Sequence, residues 1–542
     1  MPRSASLRLR VVALTAALLG AWWPASAADP RMAIGADFVV VSRTDGSVWA
    51  WGRGNDGELG NGGRASSSTP VRLPSLSGIV DVVAADGLSA ALRADGTVWV
   101  WGSGAFGVFG STQDGSTIRA TTPVQIPELQ GIKALAIGRN GPSLFAVDAT
   151  GRVFQWGTNS SGHAGAGVAG GTAEVRPVPQ AIGALSGIGA VAAGDNTFLA
   201  SSRSGTLFGW GANPQGALGV SALTTAGGPP LGVTPIAGAG DAVAVAVMDI
   251  NDNAHFALRR DGTVAGWGTN SAAQAGCGQA AATTLTAPRE LQGLTAVTAL
   301  SAGSSHALFV RSNGEVLACG RGSEGQLGDG TTAGTSSGAK VGPVRVGLTP
   351  AAVAAVAGRN TSGAIGRDGS TWVWGSLANG AAGDGGATSG NASLRQQTTP
   401  RAVVGEGGVG SFNAGALSGA PPLFAGTQTG TLARTHVSLG VAPAPADVGR
   451  NGRLYVVALL PDGSFFANAG NGGWVPWSGG PIPVYARGPL ERHTPIALFT
   501  AADLRFAAGI SLFAGYGVGD TDDAAQADLL GNAKYGIGVT LR

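Results

Sequence analysis

A tryptophan–glycine phrase recurs along this chain at near-constant spacing, and no other feature limits its possible folds so strongly. It reads "RTDGSVWAWGRGNDGELGNG" at 43, "RADGTVWVWGSGAFGVFG" at 93, "ATGRVFQWGTNSSGHAG" at 149 and "RSGTLFGWGANPQGALG" at 203. It continues as "RDGTVAGWGTNSAAQAG" at 260, "SNGEVLACGRGSEGQLG" at 312 and "RDGSTWVWGSLANGAAG" at 367. The marker positions Trp51, Trp101, Trp156, Trp210, Trp267, Cys319 and Trp374 lie 50 to 57 residues apart. A period of that length is one supersecondary unit repeated, each copy burying its apolar surface against its neighbours.

Each copy holds a turn dipeptide between two apolar runs: Asp45-Gly46, Asp95-Gly96, Thr150-Gly151, Ser204-Gly205, Asp261-Gly262, Asn313-Gly314 and Asp368-Gly369. Asp-Gly and Asn-Gly favour tight hairpin turns, because glycine accepts positive φ without strain. The run after the turn, Val48-Trp49-Ala50-Trp51, is apolar at every position, as in a strand covered on both faces. Seven such units fit sheets arranged radially about an axis, each packed between two others. The expected fold class is therefore all-β: a seven-bladed β-propeller over residues 28–415, with Trp51, Trp101, Trp156, Trp210, Trp267 and Trp374 as structural packing between blades.

Later copies begin with a "TPV" segment, as at Thr69-Pro70-Val71 and Thr122-Pro123-Val124, which the first copy lacks. A matching half appears at the far end in "TTPRAVVGEGGVGSFNAG", residues 398–415. The expectation is that this segment completes the first blade and closes the ring, removing exposed sheet edges.

The repeated pattern, roughly DG-x-V-x-x-WG-x-N-x-x-G-x-LG-x-G over residues 33 to about 415, resembles the repeats of the regulator of chromosome condensation family. The resemblance implies a seven-bladed propeller. It also offers two functional precedents: nuclear nucleotide-exchange factors for a small GTPase, and a secreted bacterial member that inhibits β-lactamases through one face of the ring.

Residues 1–27 read as a signal peptide. Arg3, Arg8 and Arg10 precede the apolar run "VVALTAALLGAWW", and Ala25 and Ala27 provide an A-x-A cleavage site. Thirteen apolar residues fall short of the ~20 of a spanning helix. The mature chain is expected to be an exported monomer, periplasmic or extracellular, without a membrane span. Of the 542 residues 93 are glycine, yet 44% are apolar, a balance that suits tight turns between buried strands rather than disorder. The net charge of +2 comes from scattered Lys and Arg, which argues against a nucleic-acid partner and against the nuclear precedent.

Beyond 415 the pattern decays. Residues 416–448 read as a linker or degenerate hairpin, an eighth hairpin being the alternative for "PLFAGTQTGTLARTHV". Residues 449–542 read as a small β-rich module of unassigned family.

"GRGNDG" at 52, "GSGAFG" at 102 and "GRGSEG" at 320 match G-x-G-x-x-G, but no helical segment follows, so they read as turns. His255 and His306 occupy equivalent strand positions and read as packing, whereas His163 lies in a loop and is a candidate for partner binding. Asp56, Glu58, Glu324 and Asp329 cluster in the loops after the markers. A pair of them would suit glycoside hydrolysis, although Asp and Glu also belong in Gly-rich turns. Five residues past the marker the first copy has Asp56 and the second Phe106; an aromatic there is a candidate interface anchor, unless it folds onto Phe109. Trp474, Trp477 and Tyr485 form a candidate stacking platform or the module's core. The acidic stretch "GVGDTDDAAQAD" lacks the glycine and terminal glutamate of a calcium loop and reads as a solvated turn. Cys277 and Cys319 are candidates for a bridge between neighbouring units, the alternative being a buried free thiol at Cys319.

Taken together, these features predict an exported, non-enzymatic propeller without a cofactor or metal, presenting loops to an extracellular or envelope protein or glycan. Partner-binding candidates are Phe106, His163, Glu324, Trp474 and Trp477. The alternatives are a polysaccharide-acting enzyme using loop carboxylates, exchange-factor activity of the kind the resemblance implies, or a purely structural surface protein.

Overall fold

The structure is a computed structural model. It describes residues 30–540 apart from 105–106, 111–118, 139–141, 167–174, 214–215, 221–229, 249–253, 271–274, 276, 278–283, 333–341, 349–350, 387–395, 416–422, 432–433, 443–449, 461–463, 469–473, 477–481, 490–493, 503–510 and 532–534. The signal-peptide reading lies outside the described residues. The described residues divide into two compact units, one within Ala27–Ala416 and one within Leu417–Arg542.

The first unit contains seven four-stranded antiparallel sheets, each a simple meander with strands here lettered a to d in chain order. Blade 1 is Arg31–Ile34, Phe38–Ser42, Val48–Gly52 and Ser67–Leu73; blade 2 is Ile79–Ala85, Leu88–Arg93, Val98–Ser103 and Arg119–Ile126. Blade 3 is Ile132–Gly138, Ser143–Asp148, Val153–Thr158 and Val175–Ala181; blade 4 is Ile188–Ala193, Thr197–Ser202, Leu207–Gly211 and Leu231–Pro235. Blade 5 is Ala242–Val247, Ala254–Arg259, Val264–Thr269 and Thr284–Glu290; blade 6 is Val297–Ala302, His306–Arg311, Val316–Gly320 and Val344–Arg345. Blade 7 ends the series with Ala352–Ala357, Thr361–Gly366, Thr371–Ser376 and Gln396–Ala402. The repeat phrase is strand b, the hairpin and strand c. Strands b and c are nearly wholly buried, because both faces of each sheet pack against other blades. The outer d strands are half-exposed and carry Pro70, Pro123, Pro177, Pro235, Pro288 and Pro400. Proline cannot donate to a further ladder, so it suits these edges and blunts edge-to-edge association.

One sequence expectation is corrected here. Each "TPV" segment is strand d of the blade it follows, not the start of the next. Ser67–Leu73 pairs with Val48–Gly52, so the first blade is complete by itself. Gln396–Ala402 pairs with Thr371–Ser376 in blade 7 rather than with blade 1. The reason is local: folding back beside the strand just left closes a shorter loop than crossing to a distant one.

Ring closure instead falls to residues 403–415. At each crossover an amide entering strand a bonds the glycine carbonyl of the preceding hairpin: Ile79 to Gly46 at 3.1 Å, Ile132 to Gly96 at 3.1 Å, Ala352 to Gly314 at 2.8 Å. After blade 7, Ala414 makes the same bond to Gly369 at 2.8 Å, as though another blade were about to begin. Blade 1 stands there instead, and its Thr44 amide donates to the Ala414 carbonyl at 3.0 Å. Phe412 wedges into this last seam, its ring 5.7 Å from Trp49 and 5.5 Å from Trp51.

In the second unit, Leu423–Thr431 and Arg434–Ala442 form a hairpin whose second strand pairs with Thr494–Ala502. The segment expected as a linker or degenerate hairpin is thus a hairpin joined to the C-terminal unit, and it pairs with no propeller strand among the described residues. A second sheet runs Trp474–Pro476, Phe465–Asn468, Asn451–Leu459, Ser511–Val518, Tyr535–Thr540, with Ala486–Pro489 also beside Asn451–Leu459. Leu454, Val456 and Ala458 are buried on one face of the central strand and Tyr455 on the other. The helix Asp522–Gly531 contributes Leu529 to the cluster around Tyr455. Asp522, in its first turn, accepts from Arg453 Nε at 2.7 Å and Arg487 Nε at 3.1 Å. The acidic stretch therefore pins a helix start to the sheet; the two guanidiniums hold the Asp522 carboxyl well below the usual carboxylate range.

Candidate interaction face

The tryptophans explain how the ring is made rigid. All six marker tryptophans are fully buried. In each c–d pairing that contains one, the register shifts at the tryptophan, a bulge that turns the ring toward the preceding blade. There the indole N–H finds a backbone carbonyl in the neighbour's loop: Trp101 to Glu58 at 2.8 Å, Trp156 to Val108 at 2.9 Å, Trp210 to His163 at 2.9 Å, Trp374 to Gln326 at 2.9 Å and Trp51 to Ala381 at 3.1 Å. Every acceptor lies seven residues past its own blade's marker. The glycine two residues further on seats the ring: a Cβ on Gly60 would come within 2.7 Å of Trp101 Nε1. The glycine after each marker is needed as well, with φ between 94° and 104° in all seven blades. The phrase is thus a latch: a tryptophan, and the glycine-rich loop that receives the next blade's tryptophan.

In a four-strand meander the a–b and c–d connections leave one end of the blade, and the b–c turns and crossovers the other. The b–c turns are short, and their arginines are spent on nearby backbone, as with Arg93 Nε to Ser77 O at 3.1 Å and Arg311 to Gly293 O at 2.6 Å. The c–d connections are long: residues 53–66, 104–118, 159–174, 212–230, 270–283, 321–343 and 377–395. All seven emerge on one face.

On that face the side chain five residues past the marker clasps the next blade. Asp56 accepts from Arg119 Nε at 2.8 Å, Ser161 donates to Asn196 Oδ1 at 2.6 Å, Glu324 accepts from Gln396 at 2.7 Å and Asn379 donates to Asp37 at 3.1 Å. This is the position that carries Phe106 in blade 2. Phe106 itself lies outside the described residues, as does Trp477. The regular clasp was missed in the sequence because its residues share no type, only an offset. Glu58, two positions on, is fully buried and takes Arg53 Nε at 2.7 Å; burial still pushes its carboxyl above the usual range.

His163 is corrected: it is not on an open surface. It is 1% exposed, its ring centroid 4.6 Å from that of Phe198, because its backbone is the acceptor for Trp210. Nδ1 accepts from the Ser161 amide at 3.4 Å while Nε2 is buried without a partner among the described residues. Burial pushes its pKa down to about 3. His255 and His306 are also buried, each bonded across a seam, to Thr197 Oγ1 at 3.0 Å and Ser362 Oγ at 2.8 Å. Trp474 is half-buried on the edge strand opposite Asn468, and the Tyr485 amide bonds Leu454 O at 2.8 Å. Cys277 and Cys319 are joined in a disulfide with Cα atoms 5.2 Å apart, linking the blade 5 loop to strand c of blade 6.

These features define a class: a seven-bladed β-propeller with tryptophan-latched blades and one face of long loops. Models of the regulator of chromosome condensation (RCC1) repeat match residues 45–92 and 313–365, and again 190–217 and 297–326. The chain thus carries RCC1-type repeats at these positions. It is similar to the ultraviolet-B receptor UVR8 of Arabidopsis thaliana, 28% identical over 56% of this chain and 80% of the receptor. It is likewise 28% identical to the human E3 ubiquitin-protein ligase HERC2 over 56% of this chain, but spans only 6% of that much longer protein. Among solved structures it shares the fold of Prp20p from Saccharomyces cerevisiae, with a TM-score of 0.56 at 23% identity, covering 66% of this chain and 86% of Prp20p. No described helix is long and apolar enough to cross a membrane.

Proposed function

We propose that this chain is an exported, non-enzymatic binding protein that engages a protein or glycan of the envelope or extracellular space through its c–d loop face. The observation that carries the reading is the division of labour between the faces. Seven long loops of differing sequence stand on a ring whose blades are held by repeated indole–carbonyl bonds. Variable loops on a rigid scaffold are the usual arrangement for recognition. Three of the four loop carboxylates that would serve a hydrolase are tied up with neighbouring side chains, Glu58 and Asp56 by Arg53 and Glu324 by Gln396, and Asp329 accepts from Thr331 Oγ1 within its own turn at 2.9 Å. Prp20p has binding properties toward Gsp1p and histones; the fold alone transfers neither partner. UVR8 is a receptor and HERC2 a ligase, and neither role is carried over.

The test is affinity capture from native envelope and medium with residues 28–542 as bait, in three forms. A loop-face pair, Phe106→Ser with Arg64→Glu, the latter an exposed arginine of the 53–66 loop, is expected to lose the captured species, while Asp95→Arg at a hairpin tip retains it. Equal retention by both variants, or loss from the hairpin variant alone, would remove the loop face from the proposal.

A further inference from the structure

The seam between blades 5 and 6 is built differently from its siblings. Cys319 stands at the marker position, so this seam has no indole. In the blade 5 loop Cys277 sits ten residues past Trp267, three beyond the offset at which the other loops place their receiving carbonyl. The two are covalently joined, 2% and 0% exposed. The loop sequence still has glycine nine residues past its marker, Gly276, as Gly60, Gly219, Gly328 and Gly383 stand where a neighbouring indole is received. The preceding seam is also weakened. Trp267 is buried, but its Nε1 has no partner among the described residues, and His255 stacked on it supplies the cross-seam bond instead. Two consecutive seams therefore lack the indole–carbonyl bond, and one of them is fastened by sulfur.

We propose that the disulfide is the oxidative replacement for the tryptophan latch, so that closure of the propeller between blades 5 and 6 is conditional on thiol oxidation. Closing the bridge forms one S–S bond. It removes two protons and two electrons from the thiols, which pass to a disulfide oxidant such as oxidised glutathione, itself reduced to two thiols. Because both sulfurs are buried once the seam is shut, oxidation accompanies folding rather than following it. A chain held in a reducing compartment keeps this seam ajar, and one that reaches an oxidising compartment locks it.

The experiment refolds the full chain from denaturant in oxidised or reduced glutathione and reads hydrogen exchange strand by strand. Reduced protein is expected to exchange at least about tenfold faster in Val264–Thr269 and Val316–Gly320, with Val98–Ser103 within about twofold of its oxidised rate. The double variant Cys277→Ala, Cys319→Trp, which restores an indole to the seam, should exchange slowly there in either buffer. Uniform acceleration across all blades, or none, overturns the proposal. A Trp variant that folds yet remains as open as Cys277→Ala, Cys319→Ala also overturns it. If that variant fails to fold, the wild-type comparison decides alone.

Discussion

Replacing Trp101 by alanine tests the latch most directly. The side chain is fully buried between blades 1 and 2, and its N–H is bonded to Glu58 O at 2.8 Å. Truncation removes the ring's apolar burial, leaves a cavity and takes one of two donors from Glu58 O, which Ser89 Oγ also reaches at 3.0 Å; together these cost about 3 to 5 kcal/mol. The propeller unit spans Ala27–Ala416, and unfolding entropy at about 2.1 cal/mol/K per residue gives roughly 0.8 kcal/mol/K for such a unit. The melting temperature should therefore fall by about 4 to 6 °C. Trp101→Phe separates the two contributions, since it keeps most of the apolar volume and loses the hydrogen bond; a loss of about 1 to 2 kcal/mol is expected. Calorimetry on the full chain reads both, with near-ultraviolet circular dichroism to assign the transition to the propeller. A melting temperature for Trp101→Ala within a degree of wild type would show that the indole is not a packing element and would reopen a ligand-stacking role.

Phe412→Ala should loosen the seam between blades 7 and 1, seen as faster exchange in Arg31–Ile34 and Thr371–Ser376 but not in Thr197–Ser202; no local change would mean that the backbone bonds of Ala414 close the ring alone. Gly60→Ala, which brings a methyl against Trp101 and strains a φ of +66°, should destabilise by about 1 to 3 kcal/mol in urea unfolding, and a neutral effect would refute the seat assigned to this glycine. His163 supplies a pH test: its folded pKa, about 3, lies below the ordinary 6.5, so above pH 6.5 it has no effect, and below that the unfolded chain gains a proton the folded one refuses. Stability should fall by up to about 1.4 kcal/mol per pH unit between pH 6.5 and 3 from this group, and His163→Gln should flatten that slope in urea titrations at pH 4 to 7.

The architecture was legible because its signal is periodic. Seven Trp-Gly phrases, each after a turn dipeptide, leave few alternatives to radial blades, and the buried b and c strands fall where the apolar runs stand. What the repeat could not convey was where one blade ends. A cyclic pattern can be cut anywhere without changing its period, and the cut chosen at Thr69-Pro70-Val71 made the first blade look incomplete. Only strand pairing decides it, and the pairing of Ser67–Leu73 with Val48–Gly52 follows from the cheaper loop. The first strand, Arg31–Ile34, has no phrase of its own, so nothing in the sequence showed that it already filled the inner position of blade 1.

The loop face was harder to read for a different physical reason. A side chain at a surface loop looks available until its neighbours are known, and here the neighbours come from the next blade, some fifty residues on. His163, in "SSGHAG", has the polar surroundings of an exposed histidine; it is buried because its carbonyl receives Trp210, which draws the ring onto Phe198. Glu324 looks free in "GRGSEG" until Gln396 arrives. The same geometry separates structural from variable positions. A residue seven past the marker is fixed through its backbone, so its side chain varies among Glu58, Val108, His163, Gln326 and Ala381 without breaking the latch. A residue five past it acts through its side chain, so an apolar choice gives up the polar clasp. Phe106 is that choice, in a loop that already has its latch through Val108. Latch and clasp coexist in blades 1, 3, 6 and 7, so a change at position 106 leaves the fastening through Val108 in place, and that is why Phe106→Ser is the substitution suited to the capture experiment.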